Sequence, residues 1–403
     1  MLTPKELLEI IDTMHPLLDD LNTFITKDVV TRLMARLGRG EQFLLTGTDQ
    51  WQLQVYKDAG GHLESLQAEI QRFTQKSNAE VRAIFEDAGV RAWSYDDNFY
   101  VAKGFEPLPL MQSERMVQIL TDTYRRTNGD IRNFTRTTAK ASQQRLISVL
   151  DTAHFKVMSG AHSYTAAVKD AINELALKQT RVAYPTGHTD SLETAVLRAV
   201  RTGVAQASGG ISIQGMIERD WDEIRVSSHL GARYGNGGHN PGNHFWWQGS
   251  LYSRTGRTKD LPKFEESTGY GTGEGLCGWN CRHSFGPGDR EHNPFENFDS
   301  EENQRVYDLS QKQRSYEARI RQSKLHCQAL MTALDSAEDA TLKEALQSDF
   351  EKAALLLQKR NKQYNSFCED NNLKKLNDRI VVAKWNRSQA SRATAAAQKA
   401  TKE

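Results

Sequence analysis

Cysteine is scarce: four residues in 403 cannot form a disulfide framework, which points to synthesis in a reducing cytoplasm. No stretch approaches the roughly 18–20 consecutive apolar residues that a membrane span needs. A surplus of either charge is missing too. With 52 basic residues against 51 acidic ones, no global field draws the chain to nucleic acid or to a membrane surface. Aromatics make up only 8% and hydrophobic residues 38%, while 26% of the chain is charged. That balance suits long solvated helices better than one thick core. The opening Met1-Leu2-Thr3-Pro4-Lys5-Glu6 reads as a capping box with proline at the first helical position, not as a signal peptide.

Apolar residues recur at helical spacing over most of the chain. Leu7, Leu8, Ile11, Leu17, Leu18, Leu21 and Ile25 keep that period, with a break or kink expected at Pro16. A helix is expected over 27–37, another over 51–73 interrupted at Gly60-Gly61, and a third beginning at the Ser77–Glu80 capping box. Residues 93–109 read as a structured linker and 112–177 as a long helical region bearing Arg115, Arg125, Arg126, Arg132, Arg136, Lys140 and Arg145. A solvated face explains that basic series most simply, with a patch facing DNA or an acidic partner as the alternative. Residues 181–190 should turn, Ser191–Thr194 should open a helix through Val204, and Glu223–Ser227 should be a strand. After Glu301, Val306, Leu309, Gln313, Tyr316, Ile320, Ser323, Cys327, Leu330 and Leu334 alternate in steps of three and four, and the pattern resumes at Leu342 after a turn. Two antiparallel arms of about 30 residues, about 45 Å long, are expected. The last twenty residues carry five basic groups and one acidic group with almost no apolar anchor, which predicts a disordered basic tail.

Chemistry concentrates between Ser227 and Phe285. His229, Gly231 and Arg233 open this segment; His244, Trp247, Gln248, Gly249 and Tyr252 follow; Gly269, Tyr270, Cys277, Asn280, Cys281, Arg282 and His283 close it. Cys277, Cys281, His283 and His244 are of the types that hold zinc tetrahedrally, although the Cys-x3-Cys spacing is not that of a standard zinc finger. Catalysis would need a placed carboxylate, and Asp260, Glu265, Glu266 and Glu274 all sit on loop-like sequence. The glycine-rich run from Gly269 to Gly275 lacks the lysine and hydroxyl residue of a phosphate-binding loop. Cys277 and Cys281 fit a structural role better than a redox pair. Trp246, Trp247 and Trp279 with Tyr252 and Phe285 could supply the core of a small domain, and Arg233, Asn280 and Arg282 could satisfy its loop carbonyls.

The same residues carry a resemblance. His229-Leu230-Gly231-Ala232-Arg233, then His244 ahead of Trp247-Gln248-Gly249, then Tyr252-Ser253, resembles the signature of the phage minor capsid protein 2 family. Gly269-Tyr270-Gly271 followed by Gly275–Phe285 is similar to that family's second signature, and the helix Leu192–Val204 matches its expected lead-in. Leu309–Arg314 and Glu317–Arg321 resemble the start of its terminal helices. More distantly, the Arg, His, Gly and Asn-Cys-Arg order is similar to the Mu F-like head-morphogenesis domain. The chain departs from the pattern by inserting a Gly/Asn-rich loop, Tyr234–Asn243, and by shortening a proline-rich continuation to Gly286-Pro287-Gly288.

The fold expected is mainly α: an elongated helical N-terminal region (1–110), long helices (111–180), a small irregular α+β signature domain (181–298), a C-terminal antiparallel helical hairpin (299–383) and the tail (384–403). The resemblance implies a non-enzymatic virion component, made in the bacterial host cytoplasm, that joins the head near the portal vertex. Portal or major capsid proteins would be its partners, and packaged DNA could meet the arginine-bearing helix and basic tail. The alternative is a metal-dependent enzyme or toxin-like effector using the His/Cys cluster and delivered with the phage genome.

Overall fold

The Thr3 hydroxyl accepts from the Glu6 N–H at 3.2 Å while the Glu6 carboxylate accepts from the Thr3 N–H at 2.7 Å. This box caps α1 (Pro4–Glu9) as the sequence predicts. The computed structural model describes residues 1–45, 47–177, 181–184 and 186–401. Helix α2 (Met14–Leu37) starts just ahead of Pro16, so the proline breaks nothing. In a first turn its missing N–H has no intrahelical partner to lose.

Helix α3 (Thr48–Ala102) runs 55 residues without interruption, which corrects the sequence reading at three places. Gly60-Gly61 does not break it, the Ser77–Glu80 box does not cap a new helix, and residues 93–102 are helix rather than linker. Each interior glycine costs about 1 kcal/mol against alanine, but tertiary packing outweighs that cost here. A Cβ on Gly61 would sit 2.7 Å from the tip of the Arg32 side chain of α2, which would have to shift, while a Cβ on Gly60 would meet nothing within 4 Å.

The long helical region divides into α4 (Glu114–Met158) and α5 (Tyr164–Leu177). Strands β1 (Arg181–Ala183) and β2 (Thr189–Ser191) then pair antiparallel where a turn was expected; Pro185 lies outside the described residues. Helix α6 (Leu192–Glu218) extends well past Val204. A three-stranded antiparallel sheet follows in the order β4-β3-β5, built from β3 (Glu223–Val226), β4 (Leu251–Ser253) and β5 (Phe285–Pro287). The short helices α7 (His244–Trp247) and α8 (Phe264–Thr268) lie in its connections. Helices α9 (Ser300–Ser336) and α10 (Ala340–Asp370) form the expected hairpin. Its antiparallel sense is plain from the pairing of Gln313 with Tyr364 and of Ser323 with Arg360.

The tail does not match its expectation. Residues 387–400 form helix α11 (Arg387–Ala400), with Asn386 accepting from the Gln389 N–H at 3.0 Å as N-cap. Ala393, Ala396 and Ala397 are buried along one side. Low hydrophobicity suggested disorder, but small alanines let a helix seat closely, and Lys399 pairs with Glu351 of α10 at 2.9 Å.

Two compact units make up the chain. One comprises Met1–His15, Gln75–Asn133 and Thr194–Gln311, the other Pro16–Thr74, Phe134–Glu193 and Lys312–Glu403. They are interleaved in sequence, unlike the five consecutive blocks expected. At 55 and 45 residues, α3 and α4 are longer than one hydrophobic core, so each supplies residues to both units. The β1–β2 hairpin falls in the second unit and the β4-β3-β5 sheet in the first, which separates parts of the 181–298 block. Among the described residues, no helix is long and apolar enough to cross a membrane.

Candidate functional site

The site grows from the central strand. Ile224 pairs with Tyr252 on one side and Pro287 on the other, and Val226 pairs with Phe285. Just past β3, the Ser227 N–H donates to the Ser284 carbonyl and the Ser227 hydroxyl accepts from the Ser284 N–H, both at 2.9 Å. The Gly249 N–H donates to the Ser227 carbonyl at 3.3 Å. These bonds bring residues 227–229, 248–249 and 283–284, far apart in sequence, to one place.

Beneath the strands, Trp247, Tyr252, Phe264 and Phe285 are buried, and Tyr270 packs edge-on against Phe285 with ring centroids 5.0 Å apart. Trp247 is held by its indole N–H to the Pro241 carbonyl at 3.0 Å, and the Tyr252 hydroxyl donates to the Trp247 carbonyl at 2.8 Å. The aromatic core expected from sequence is thus present with one exchange. Trp279 is 59% exposed and Phe264 occupies the interior instead. Trp246 is half-buried and stacks on His239.

The inserted loop has a positive job. Asn240 accepts from the Gly242 and Asn243 N–H groups, and Asn243 caps α7 by accepting from the Trp246 N–H at 3.2 Å. That short helix presents His244 and Trp247 inward. His239 itself is exposed and takes no part in the cluster.

His229, His244 and His283 converge. The His229 and His283 rings stack with centroids 4.4 Å apart, and His244 meets His283 edge-on at 5.5 Å. Gln248 fixes the arrangement: its Oε1 accepts from the His229 backbone N–H at 3.0 Å and faces His283 Nε2 at 3.0 Å. Since that oxygen can only accept, His283 carries its proton on Nε2 and keeps a lone pair on Nδ1. By the same logic His244, 2.8 Å from the Glu274 carbonyl through Nε2, keeps its lone pair on Nδ1. Burial drives the His244 imidazole down to about 4, against the favourable bond to Glu274. Burial and the Arg282 charge drive His229 down to about 3. Burial, with the neighbouring imidazoles, holds His283 well below the ordinary range. All three are neutral at pH 7.

The cysteines lie against this group. Cys281 Sγ is 3.7 Å from His283 Nδ1, and both the Cys277 and Cys281 thiols approach the His283 carbonyl, at 4.0 and 3.8 Å. Burial pushes both thiols up, so neither is a poised nucleophile. No disulfide links them. Among the described residues, the ligand atoms of His244, Cys281 and His283 lie within 4.8 Å of one another. Cys277, the fourth zinc candidate, is beside this trio rather than within it.

The remaining signature residues hold backbone. Arg233 donates to the Trp279 carbonyl at 2.6 Å and the Glu274 carbonyl at 3.5 Å, and Arg282 to the Gly231 carbonyl at 3.2 Å. Asn280 serves through its left-handed conformation, φ 57°, as does Gly269 at the end of α8, φ 62°. Gly231 and Gly249 are likewise left-handed. Of the carboxylates weighed for catalysis, Asp260 pairs with Arg290 and Glu266 with Lys263.

Two polar anchors escaped the sequence reading. Asp222, just before β3, accepts from the Ser253, Thr255 and Thr258 hydroxyls at 2.6, 2.6 and 2.7 Å and from the Thr255 and Thr258 N–H groups. Buried Asn303 at the start of α9 exchanges two hydrogen bonds with the Ala232 backbone, at 2.8 and 2.9 Å. A hydroxyl-rich stretch after β4 was the one signal for Asp222; Asn303 had none.

The protein is mainly helical, with a small α+β region braced by buried imidazoles, thiols and backbone-directed arginines. The chain belongs to the phage minor capsid protein 2 family, whose family model matches residues 2–369. No curated protein and no solved structure matches it. As a member of this family the protein is a phage minor capsid, or virion structural, protein.

Proposed function

We propose that the protein acts in head assembly near the portal vertex, by binding the portal or major capsid proteins. The observation that carries this reading is the family match across residues 2–369. Long helices support it, because they offer extended surfaces to repeated partners. Exposed aromatic side chains on them, Tyr56 of α3 at 65% and Phe155 of α4 at 70%, provide apolar contact points. Burial of the His/Cys cluster, with no carboxylate inside it, favours a structural over an enzymatic use. Four free cysteines fit synthesis in the bacterial host cytoplasm.

Packaged DNA has weaker support as a partner. Of the basic groups in the C-terminal segment, Arg392 pairs with Asp335 at 3.1 Å and Lys399 with Glu351, and Arg125 of α4 lies 3.7 Å from Asp122. Quantitative composition of purified virions, with co-sedimentation on assembling proheads, tests the proposal. A fixed low copy number and crosslinks to the portal are expected. Absence from both particles would overturn it.

A further inference from the structure

We propose that His244, Cys281 and His283 bind a zinc ion, with the Cys277 thiolate completing a tetrahedral Cys2His2 set. The ligand atoms of the first three residues already lie within 4.8 Å of one another. Zinc bonds of about 2.3 Å to sulfur and 2.0–2.1 Å to nitrogen at the tetrahedral angle put neighbouring S and N ligands about 3.6 Å apart. Cys281 Sγ and His283 Nδ1 stand at 3.7 Å. That separation is long for a strong S–H···N bond and suits one edge of a zinc tetrahedron.

The outer contacts agree. A metal-bound imidazole characteristically donates its other N–H to a carbonyl or carboxylate, which fixes tautomer and ring orientation. His244 does this through Nε2 to the Glu274 carbonyl, and His283 through Nε2 to Gln248 Oε1. Both rings therefore keep Nδ1 as the free lone pair.

Charge balance selects the fourth ligand. The cluster is buried and contains no carboxylate, and Arg233 and Arg282 already place positive charge on His283. Zinc with one thiolate would add a further net positive charge, whereas two thiolates neutralise the ion. Cys277 is fully buried, and its thiol approaches the same His283 carbonyl as Cys281 does. It holds a left-handed backbone, φ 59°, that L-residues adopt at a cost. Such an ion would tie α7 to the 277–283 loop, stapling a region whose sheet has only three short strands.

The test uses the full chain, purified without chelator and analysed for metal, followed by cobalt(II) substitution of the stripped protein. About one zinc per chain is expected, and cobalt should give tetrahedral d–d bands with a thiolate-to-metal charge-transfer band. Cys281→Ser should abolish binding, and Cys277→Ser should weaken the charge-transfer band, while Cys327→Ala on α9 should change neither. Wild-type chain that is folded by circular dichroism yet carries no zinc and gives no cobalt bands overturns the site, whatever the variants do. An unchanged charge-transfer band in Cys277→Ser overturns the Cys2His2 set. The capsid reading stands or falls separately, on virion composition.

Discussion

Replacing Asp222 should loosen the sheet that carries the signature residues. Its carboxylate accepts five hydrogen bonds, three from hydroxyls and two from backbone N–H groups, and joins β3 to the end of β4 and the loop beyond. A hydrogen bond to a charged group contributes about 1.5–3 kcal/mol net. The five share one carboxylate, and Thr255 is exposed enough for water to replace its bond, so they do not add. Ser253 is fully buried and has no such recourse. Asp222→Ala should therefore cost about 3–4 kcal/mol. Asp222→Asn should cost about 1–2 kcal/mol, since its amide oxygen keeps part of the set while its NH2 opposes a backbone N–H. Urea unfolding followed by tryptophan fluorescence measures both.

The pH dependence carries a definite sign. Burial pushes the Asp222 carboxyl up, but the hydrogen bonds from Ser253, Thr255 and Thr258 prevail and hold it well below the usual carboxylate range. A depressed native value means that the stabilisation is complete above the unfolded value of about 3.9 and is lost as pH falls from there toward the native value. The gap between wild type and Asp222→Asn should be constant from about pH 5 to 8 and shrink below about pH 4. An Asp222→Ala protein within 1 kcal/mol (about fivefold in the folding equilibrium) of wild type at pH 7 would refute this account.

Two glycine substitutions should move in opposite directions. A Cβ on Gly275 would lie 2.2 Å from the Gly269 carbonyl oxygen and 2.6 Å from that of Thr268, both backbone, so Gly275→Ala should cost about 2–3 kcal/mol in thermal unfolding. Gly129, inside α4 with nothing within 4 Å of a Cβ, should gain about 0.5–1 kcal/mol as alanine. In the hairpin, the buried Tyr364 hydroxyl donates to Glu317 at 3.2 Å and accepts from the Leu376 N–H at 3.0 Å. Tyr364→Phe leaves both without that partner, and hydrogen exchange should report about 1–3 kcal/mol less protection across α9 and α10.

Local periodicity made the helical class, the hairpin and the strand before the cluster legible in the chain. Helix limits were less so. The α3 glycines carry a local helix penalty that the sequence registers, whereas the packing of a 55-residue helix that outweighs it is not a local property. The alanine-rich C-terminal segment looked too polar to order because single-chain hydrophobicity does not register how closely alanine lets a helix approach another. Within the cluster, residue types pointed to Cys277, Cys281, His283 and His244; the ligand atoms of the last three lie within 4.8 Å of one another, and Cys277 stands beside them. Nothing in their spacing told that Trp279 would face solvent or that Gln248 would lock two histidine segments with one oxygen.

What was written in the residues was therefore membership: the ordered run from His229 to Phe285 marks the family wherever its atoms lie, and the 3.6-residue period marks helix. Tertiary structure decided the rest. It divided the longest helices between two compact units, turned a nominal tail into α11, and set lone pairs and thiols facing one another inside the fold. Those outcomes depend on burial and on hydrogen-bond partners far apart in sequence, as Asn303 and Ala232 are at 71 residues, and no local pattern encodes them.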